Sequence, residues 1–302
     1  TSFKTPDHTY YYKMNDPKLE ESNRLYANNG NGFYTDVTEA ANVLNFGLSL
    51  SASVADYNND GWLDVYVSND FASPDFFYIN NKNGTFSNQL KNSFQHTSFF
   101  GMGSDAADLN NDGLIDLVQM DMTPADNRRN KANMASMNIA SFWQIVNFGM
   151  HHQYMFNSVQ INQGISKKGL PHFSEVAQFS NMASTDWSWA TLCADFDNNG
   201  FKDVFITNGT RRDINNKDYF EKLSKATYKE QQQFDTLNLT LNMPSETVDN
   251  YIFKNNGKLK FENSTYSWGL NAKGFSNGAA YADLDNDGDL EIIVNNIDAD
   301  AS

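Results

Sequence analysis

The stretch Ala107-Asp-Leu-Asn-Asn-Asp-Gly-Leu-Ile-Asp116 occurs four times in this chain without gaps. The other copies are Ala55-Asp-Tyr-Asn-Asn-Asp-Gly-Trp-Leu-Asp64, Ala194-Asp-Phe-Asp-Asn-Asn-Gly-Phe-Lys-Asp203 and Ala282-Asp-Leu-Asp-Asn-Asp-Gly-Asp-Leu-Glu291. Their first acids, Asp56, Asp108, Asp195 and Asp283, are spaced by 52, 87 and 88 residues. Recurrence on this scale is the signature of a repeat architecture. After each copy comes a short apolar alternation rich in β-branched and aromatic residues: Leu63–Val67, Ile115–Val118, Asp203–Ile206 and Leu290–Val294. Such runs read as strands. A second element also recurs, at Leu25-Tyr-Ala-Asn-Asn-Gly-Asn-Gly-Phe33, Phe77-Tyr-Ile-Asn-Asn-Lys-Asn-Gly-Thr-Phe86 and Tyr251-Ile-Phe-Lys-Asn-Asn-Gly-Lys-Leu-Lys-Phe261, with a looser copy from Val159 to Phe173. It reads as a β-hairpin whose Asn/Gly turn uses positive φ.

One unit is therefore strand, acidic loop, strand, connection, strand, Asn-Gly turn, strand. Four antiparallel strands per unit is the content of one propeller blade. The expected fold is all-β: one incomplete β-propeller domain over 1–302 with four-stranded antiparallel blades. It comprises a half unit at 23–44, units at 46–95, 99–181 and 187–266, and a half unit at 274–302. The longer spacings predict insertions near 122–152, where Phe142–Val146 reads as helix, and near 210–248, where the composition of 217–231 is helical. Closure is expected through further chain rather than by joining the two half units, because a truncated edge strand invites aggregation.

The loop pattern places side-chain oxygens at positions 1, 3, 5 and 9 and a backbone carbonyl at position 7, with Gly at position 6 for the sharp turn. The predicted metal ligands are Asp56, Asn58, Asp60, Trp62 (backbone) and Asp64; Asp108, Asn110, Asp112, Leu114 (backbone) and Asp116; Asp195, Asp197, Asn199, Phe201 (backbone) and Asp203; and Asp283, Asp285, Asp287, Asp289 (backbone) and Glu291. An all-oxygen set without His or Cys suits calcium, which takes 6–8 oxygens, and disfavours zinc or copper. About four Ca²⁺ sites are expected. An EF-hand would need a bidentate Glu at position 12 and flanking helices. Val67, Gln119, Ile206 and Val294 stand there instead, and the flanks read as strands. The bland alternative, that Asp-Asn-Gly stretches are only turns, does not explain four copies with an acid at the same ninth position.

The 302 residues carry a formal net charge of −15 and 41 Asn. This acidity argues against nucleic acid, which needs a basic face. One cysteine permits no intrachain disulfide. No apolar run reaches the length of a membrane span, and no phosphate-binding glycine motif or nucleophile elbow occurs.

These loops, strands and hairpins together resemble the FG-GAP/VCBS repeat family, the calcium-loop β-propellers related to the integrin α-subunit head. Gly274-Phe-Ser-Asn-Gly-Ala-Ala-Tyr-Ala-Asp283 is similar to the family's strand leading into a calcium loop. Asn69–Asp75, His96–Gly103, Thr185–Trp189 and Asn208–Ile214 resemble, more narrowly, large surface proteins of Bacteroidota that pair such repeats with an ASPIC/UnbV domain, relatives of cartilage acidic protein. The resemblance implies a seven-bladed propeller, of which this chain holds about four repeats. It also implies an extracellular or outer-membrane location, with lipid anchoring through a segment absent from this chain. The implied role is non-enzymatic binding of protein or glycan, with a subunit role in an outer-membrane complex as one form of it. Two alternatives stand beside it: a polysaccharide lyase or hydrolase on a calcium-stabilised propeller, and an adhesion head using calcium in trans.

Outside the loops no catalytic residue is assigned. Trp187 and Trp189 could stack on a sugar, but their place just before a strand favours packing. His151-His152 has no matched carboxylate or nucleophile in sequence, which favours a surface or packing role. Cys193 reads as a small buried residue. Arg128-Arg129 and Arg211-Arg212 read as exposed cations paired with acidic neighbours, an arrangement of little energetic weight.

Overall fold

The computed structural model describes residues 2–4, 10–12, 22–71, 73–134, 138–225 and 236–302. Residues 135–137 and 226–235, which belong to the two expected insertions, lie outside the described residues. The chain is mostly β, and its large sheets are antiparallel. Three four-stranded sheets follow one another. The first is Leu48–Ala55, Asp64–Asp70, Phe76–Asn80 and Phe86–Asn88. The second is Ser104–Ala107, Asp116–Gln119, Ser158–Ile165 and Pro171–Glu175. The third is Ser188–Ala194, Asp203–Asn208, Tyr251–Lys254 and Glu262–Asn263. In each, the strands pair in chain order. Separate hairpins flank them: Tyr26–Asn28 with Tyr34–Asp36, and Ser276–Ala282 with Glu291–Asn296.

The sheets stack because the second strand of each is apolar on both faces. In the first sheet Tyr66 turns into one core, with Tyr57, Phe77, Phe94, Leu117 and Phe173, while Val67 turns into another with Phe76 and Tyr78. Leu117 and Val118 divide in the same way: Leu117 joins the first sheet's core and Val118 the core shared with the third. In the third sheet Val204 and Ile206 face the second sheet, and Phe205 faces Val294 of the last hairpin. A period-two strand thus serves two successive cores, which alternation of side chains permits and burial on both faces demands.

First strands of successive sheets are neighbours. Ser51 Oγ donates to the Met102 carbonyl at 2.8 Å and lies 2.9 Å from Ser104 Oγ, while the Cys193 N–H donates to Asp105 at 2.8 Å. Gly103 makes this approach possible: a Cβ there would lie 1.9 Å from the Trp189 carbonyl oxygen.

The insertions contribute helices Asn127–Asn133, Ile139–Asn147, Lys217–Ser224 and Thr236–Leu241. Asp126, Asn138 and Asn216 cap the first three, each accepting a backbone N–H. Among the described residues no helix is long and apolar enough to cross a membrane.

One expectation fails here. Arg129 is not an exposed cation but only 5% exposed. Its Nε and Nη2 donate to the two carboxylate oxygens of Asp186 at 2.8 and 2.9 Å, and Nη1 reaches Glu246 at 3.2 Å and Asp213 at 3.5 Å. These acids come from the third sheet's entry and from the second insertion, so one guanidinium ties both insertions to the sheets. The physical reason is that the forked, planar donor set of Arg can be satisfied in a buried site when several carboxylates meet it. Arg128, by contrast, stays exposed and pairs with Glu246 at 2.5 Å, and Arg211 with Asp298 at 2.7 Å.

Two outcomes follow for urea unfolding. Gly103→Ala should destabilise by about 3 kcal/mol or more, since backbone rather than a flexible side chain meets the new atom. Arg129→Met leaves Asp186 and Asp213 buried without their cation and should cost about 3–5 kcal/mol. A wild-type midpoint for either variant would refute the corresponding account.

Candidate metal centres

Each acidic loop joins the first strand of its sheet to the second. Asn at position 4 takes the left-handed conformation in all four copies, with φ of 54° at Asn59, 57° at Asn111, 56° at Asn198 and 62° at Asn286. The glycines at position 6 follow with φ between 84° and 94°. Asn and Gly are the residues that tolerate these angles.

This bend folds the loop around its own acids. The position-1 carboxylate receives two backbone N–H groups in three loops. Asp56 accepts from Asp60 and Gly61 at 3.0 and 2.7 Å, Asp108 from Asp112 and Gly113 at 3.1 and 2.8 Å, and Asp195 from Asn199 and Gly200 at 2.9 and 2.8 Å. Asp283 accepts from Gly288 at 3.2 Å. The position-5 side chain accepts from the position-7 N–H in every loop, holding Trp62, Leu114, Phe201 and Asp289 in place. Asn58 and Asn110 accept from the N–H groups of Asp60 and Asp112.

The ninth-position acids Asp64, Asp116 and Asp203 are fully buried. One oxygen of each accepts from position 2 of its own loop: Tyr57 at 3.2 Å, Leu109 at 2.8 Å, Phe196 at 3.1 Å. The other accepts from the backbone N–H of an Asn in or just after the third strand: Asn80 at 2.8 Å, Asn162 at 2.8 Å, Asn255 at 2.7 Å. Burial pushes Asp64 and Asp203 up to about 6 and Asp116 up to about 7; the backbone donors pull the other way, and the neighbouring loop acids push further. A bound cation would offset that burial cost and the mutual repulsion.

The sets are not equally gathered. The carboxylates of Asp195, Asp197 and Asp203 offer oxygens all within 4.8 Å of one another, as do those of Asp283, Asp285 and Asp287. Among the described residues, the three acids of each of the first two loops form no such group, nor does Glu291 join that of the fourth. In the first two loops position 3 is Asn, so an amide oxygen stands where the later loops have the carboxylates of Asp197 and Asp285. Asp197 provides the sharper test of fit. Its Oδ2 pairs with Lys254, but its Oδ1 is buried with no hydrogen-bond partner. An orphaned carboxylate oxygen inside an all-oxygen donor set fits a hard divalent cation.

Loops also bond to loops, which sequence reasoning missed. The side-chain amide of Asn59 donates to the Gly113 carbonyl at 3.2 Å, Asn111 to Gly200 at 2.8 Å and Asn198 to Gly288 at 3.4 Å. Each link runs from position 4 of one loop to position 6 of the next. In the reverse direction Asn162 donates to the Tyr57 carbonyl at 2.9 Å and Asn255 to that of Leu109 at 2.7 Å. The available signal was Asn at position 4 in all four copies and Asn80, Asn162 and Asn255 at equivalent places in or just after the third strands.

Other candidates have packing roles. Trp187 and Trp189 stack with centroids 6.2 Å apart, and the Trp189 indole donates to the Gly209 carbonyl at 2.8 Å. Cys193 is buried, and burial and Asp105 push its thiol well above the usual range.

A search of curated proteins returned no match. The FG-GAP-like repeat family matches residues 15–67, 56–118 and 240–294, together more than half of the chain. Three of the four loops fall inside those spans, and the third, at 195–203, has the same internal bonding as its neighbours. On sequence and on the loop pattern that the matched segments carry, the chain belongs to the FG-GAP-like repeat family.

Proposed function

We propose that the chain forms blades of a β-propeller whose loops bind Ca²⁺, and that it serves as a non-enzymatic binding module for protein or glycan at the outer surface of the cell. The observation that carries the calcium reading is the repeated loop, with the orphaned Asp197 Oδ1 among the Asp195, Asp197 and Asp203 carboxylates. The propeller reading is supported by three four-stranded sheets stacked in chain order with their first strands side by side. A cell-surface position agrees with the ion: Ca²⁺ is abundant outside the cytoplasm, and weak extracellular sites fill there. The cation's role is structural. It neutralises acids that the fold brings together, and it binds the folded state alone.

Removal of calcium tests this. A single site held at a hundred times its Kd adds about 2.7 kcal/mol of stability. For a chain of 302 residues that amounts to about 4 °C in Tm for each site. EGTA should lower the melting temperature by at least about 10 °C, Ca²⁺ should restore it, and equimolar Mg²⁺ should not. A melt indifferent to chelator would overturn the calcium reading.

The loop-to-loop bonds give a second outcome. Asn111→Gly keeps the left-handed backbone and removes one neutral hydrogen bond, so it should cost about 1 kcal/mol in urea titration. Asn111→Ala removes the bond and also strains the backbone, and should cost about 1 kcal/mol more than the glycine variant. Equal midpoints for the two variants would show that the φ of 57° at Asn111 does not matter to stability.

A further inference from the structure

Four of the five histidines gather at one place on the second sheet's outer side. A cavity of about 550 Å³ opens there between the helical turn at Leu90–Ser93, the end of the Ile139–Asn147 helix and the strand Pro171–Glu175. Its lining includes Lys91, Ser93, His151, His152 and His172, and no acidic residue, in a chain of net charge −15. Two polar atoms in this lining are buried and unsatisfied: His151 Nε2, on a side chain 5% exposed, and Ser93 Oγ, on one 1% exposed. A buried polar atom without a partner is costly, and two in one cavity wall mark a place where a ligand or water supplies hydrogen bonds. Burial pushes the His151 imidazole down to about 4, and the nearby His152, Lys91 and His96 push it the same way. The imidazole is therefore neutral near pH 7, and the Lys91 ammonium in the same lining favours a negative group. Beside the cavity, Trp143 is 52% exposed and its ring centroid lies 6.3 Å from that of His152. An exposed indole next to a polar cavity is a surface on which the apolar face of a sugar ring can lie.

We propose that this cavity binds a carboxylate-bearing sugar unit of an acidic polysaccharide. Lys91 and His152 face the carboxylate, His151 Nε2 and Ser93 Oγ bond ring hydroxyls, and Trp143 covers the ring. The inference names a glycan class for the binding role proposed above, but it does not depend on calcium. The titration below reports on the cavity whatever chelator does to melting, so the two can fail separately.

The test is a titration of the whole chain in Ca²⁺ buffer, followed through the histidine Cε1–H resonances. The probes are digalacturonate, its neutral counterpart digalactose, and sodium sulfate. Digalacturonate should shift His151, His152 and His172 saturably, and digalactose should bind at least tenfold more weakly. Lys91→Ala changes an exposed residue and should leave Tm within about 2 °C while weakening digalacturonate at least tenfold; Trp143→Ala should weaken it at least threefold. No shift at the three histidines would overturn the proposal, as would equal binding of digalactose. Equal binding of sulfate would reassign the cavity to free anions and overturn the sugar claim.

Discussion

Asp64, Asp116 and Asp203 each open the second strand of a sheet, and each places one carboxylate oxygen on the loop behind it and the other on the third strand beside it. A carboxylate buried this completely would be expensive if its oxygens were unmet. Here the backbone meets both, from position 2 of the loop and from Asn80, Asn162 or Asn255. The same acid therefore sets the loop's curvature, the start of the ladder and the register of the third strand. Were it replaced by an apolar residue, two buried N–H donors would lose their acceptor at once. That coupling explains why the acidic loop and the Asn-Gly hairpin recur together: neither closes its hydrogen bonds alone.

From this clamp the rest of the stack follows. Holding the second strand at a fixed depth exposes its two faces to two different neighbours. Tyr66 and Val67, Leu117 and Val118, and Phe205 and Ile206 then divide between successive cores. The first strands can sit side by side only where no side chain intervenes, which is why Gly101 and Gly103 flank Met102. A Cβ at Gly101 would meet the side chains of Gln119 and Ser68 and the Asn69 carbonyl oxygen at 2.5 to 2.7 Å. Gln119 in turn donates to Ser68 and to Asp75, and Tyr66 donates to Asp75, so a polar network lies beneath the glycine between the first two sheets.

Much of this was legible because it repeats. Four ungapped loops, each followed by a period-two run, point to their strands without reference to tertiary contacts. The Asn-Gly hairpins do the same, since their turns are local. What resisted reading depends on distance. Arg129 looks like any surface arginine beside Arg128, and only the arrival of Asp186, Asp213 and Glu246, from 57 to 117 residues away, makes it a buried ion. His151 and Ser93 are similar: their importance lies in atoms left without partners, a property of packing rather than of spacing. The position-4 Asn residues fall between these cases. Their identity repeats, but their acceptor is the next loop, 54 or about 90 residues on.

The last loop shows what the clamp contributes by its partial absence. Glu291 takes the ninth position and still accepts from Leu284, at 2.7 Å, but its sheet has two strands among the described residues and no Asn comes from a third. Asp283 is exposed where Asp56, Asp108 and Asp195 are half-buried, and Glu291 is half-buried where Asp64, Asp116 and Asp203 are fully buried. Four side-chain carboxylates stand at this loop's ligand positions, against three in each other loop, and three of them, Asp283, Asp285 and Asp287, converge with fewer backbone donors to hold them apart. Repulsion between like charges a few ångströms apart is weakened by water but not removed. The fourth loop therefore keeps the family's curvature chiefly through Asn286, Gly288 and the contact of its Gly288 carbonyl with Asn198, and of the four it has the most to gain from a cation.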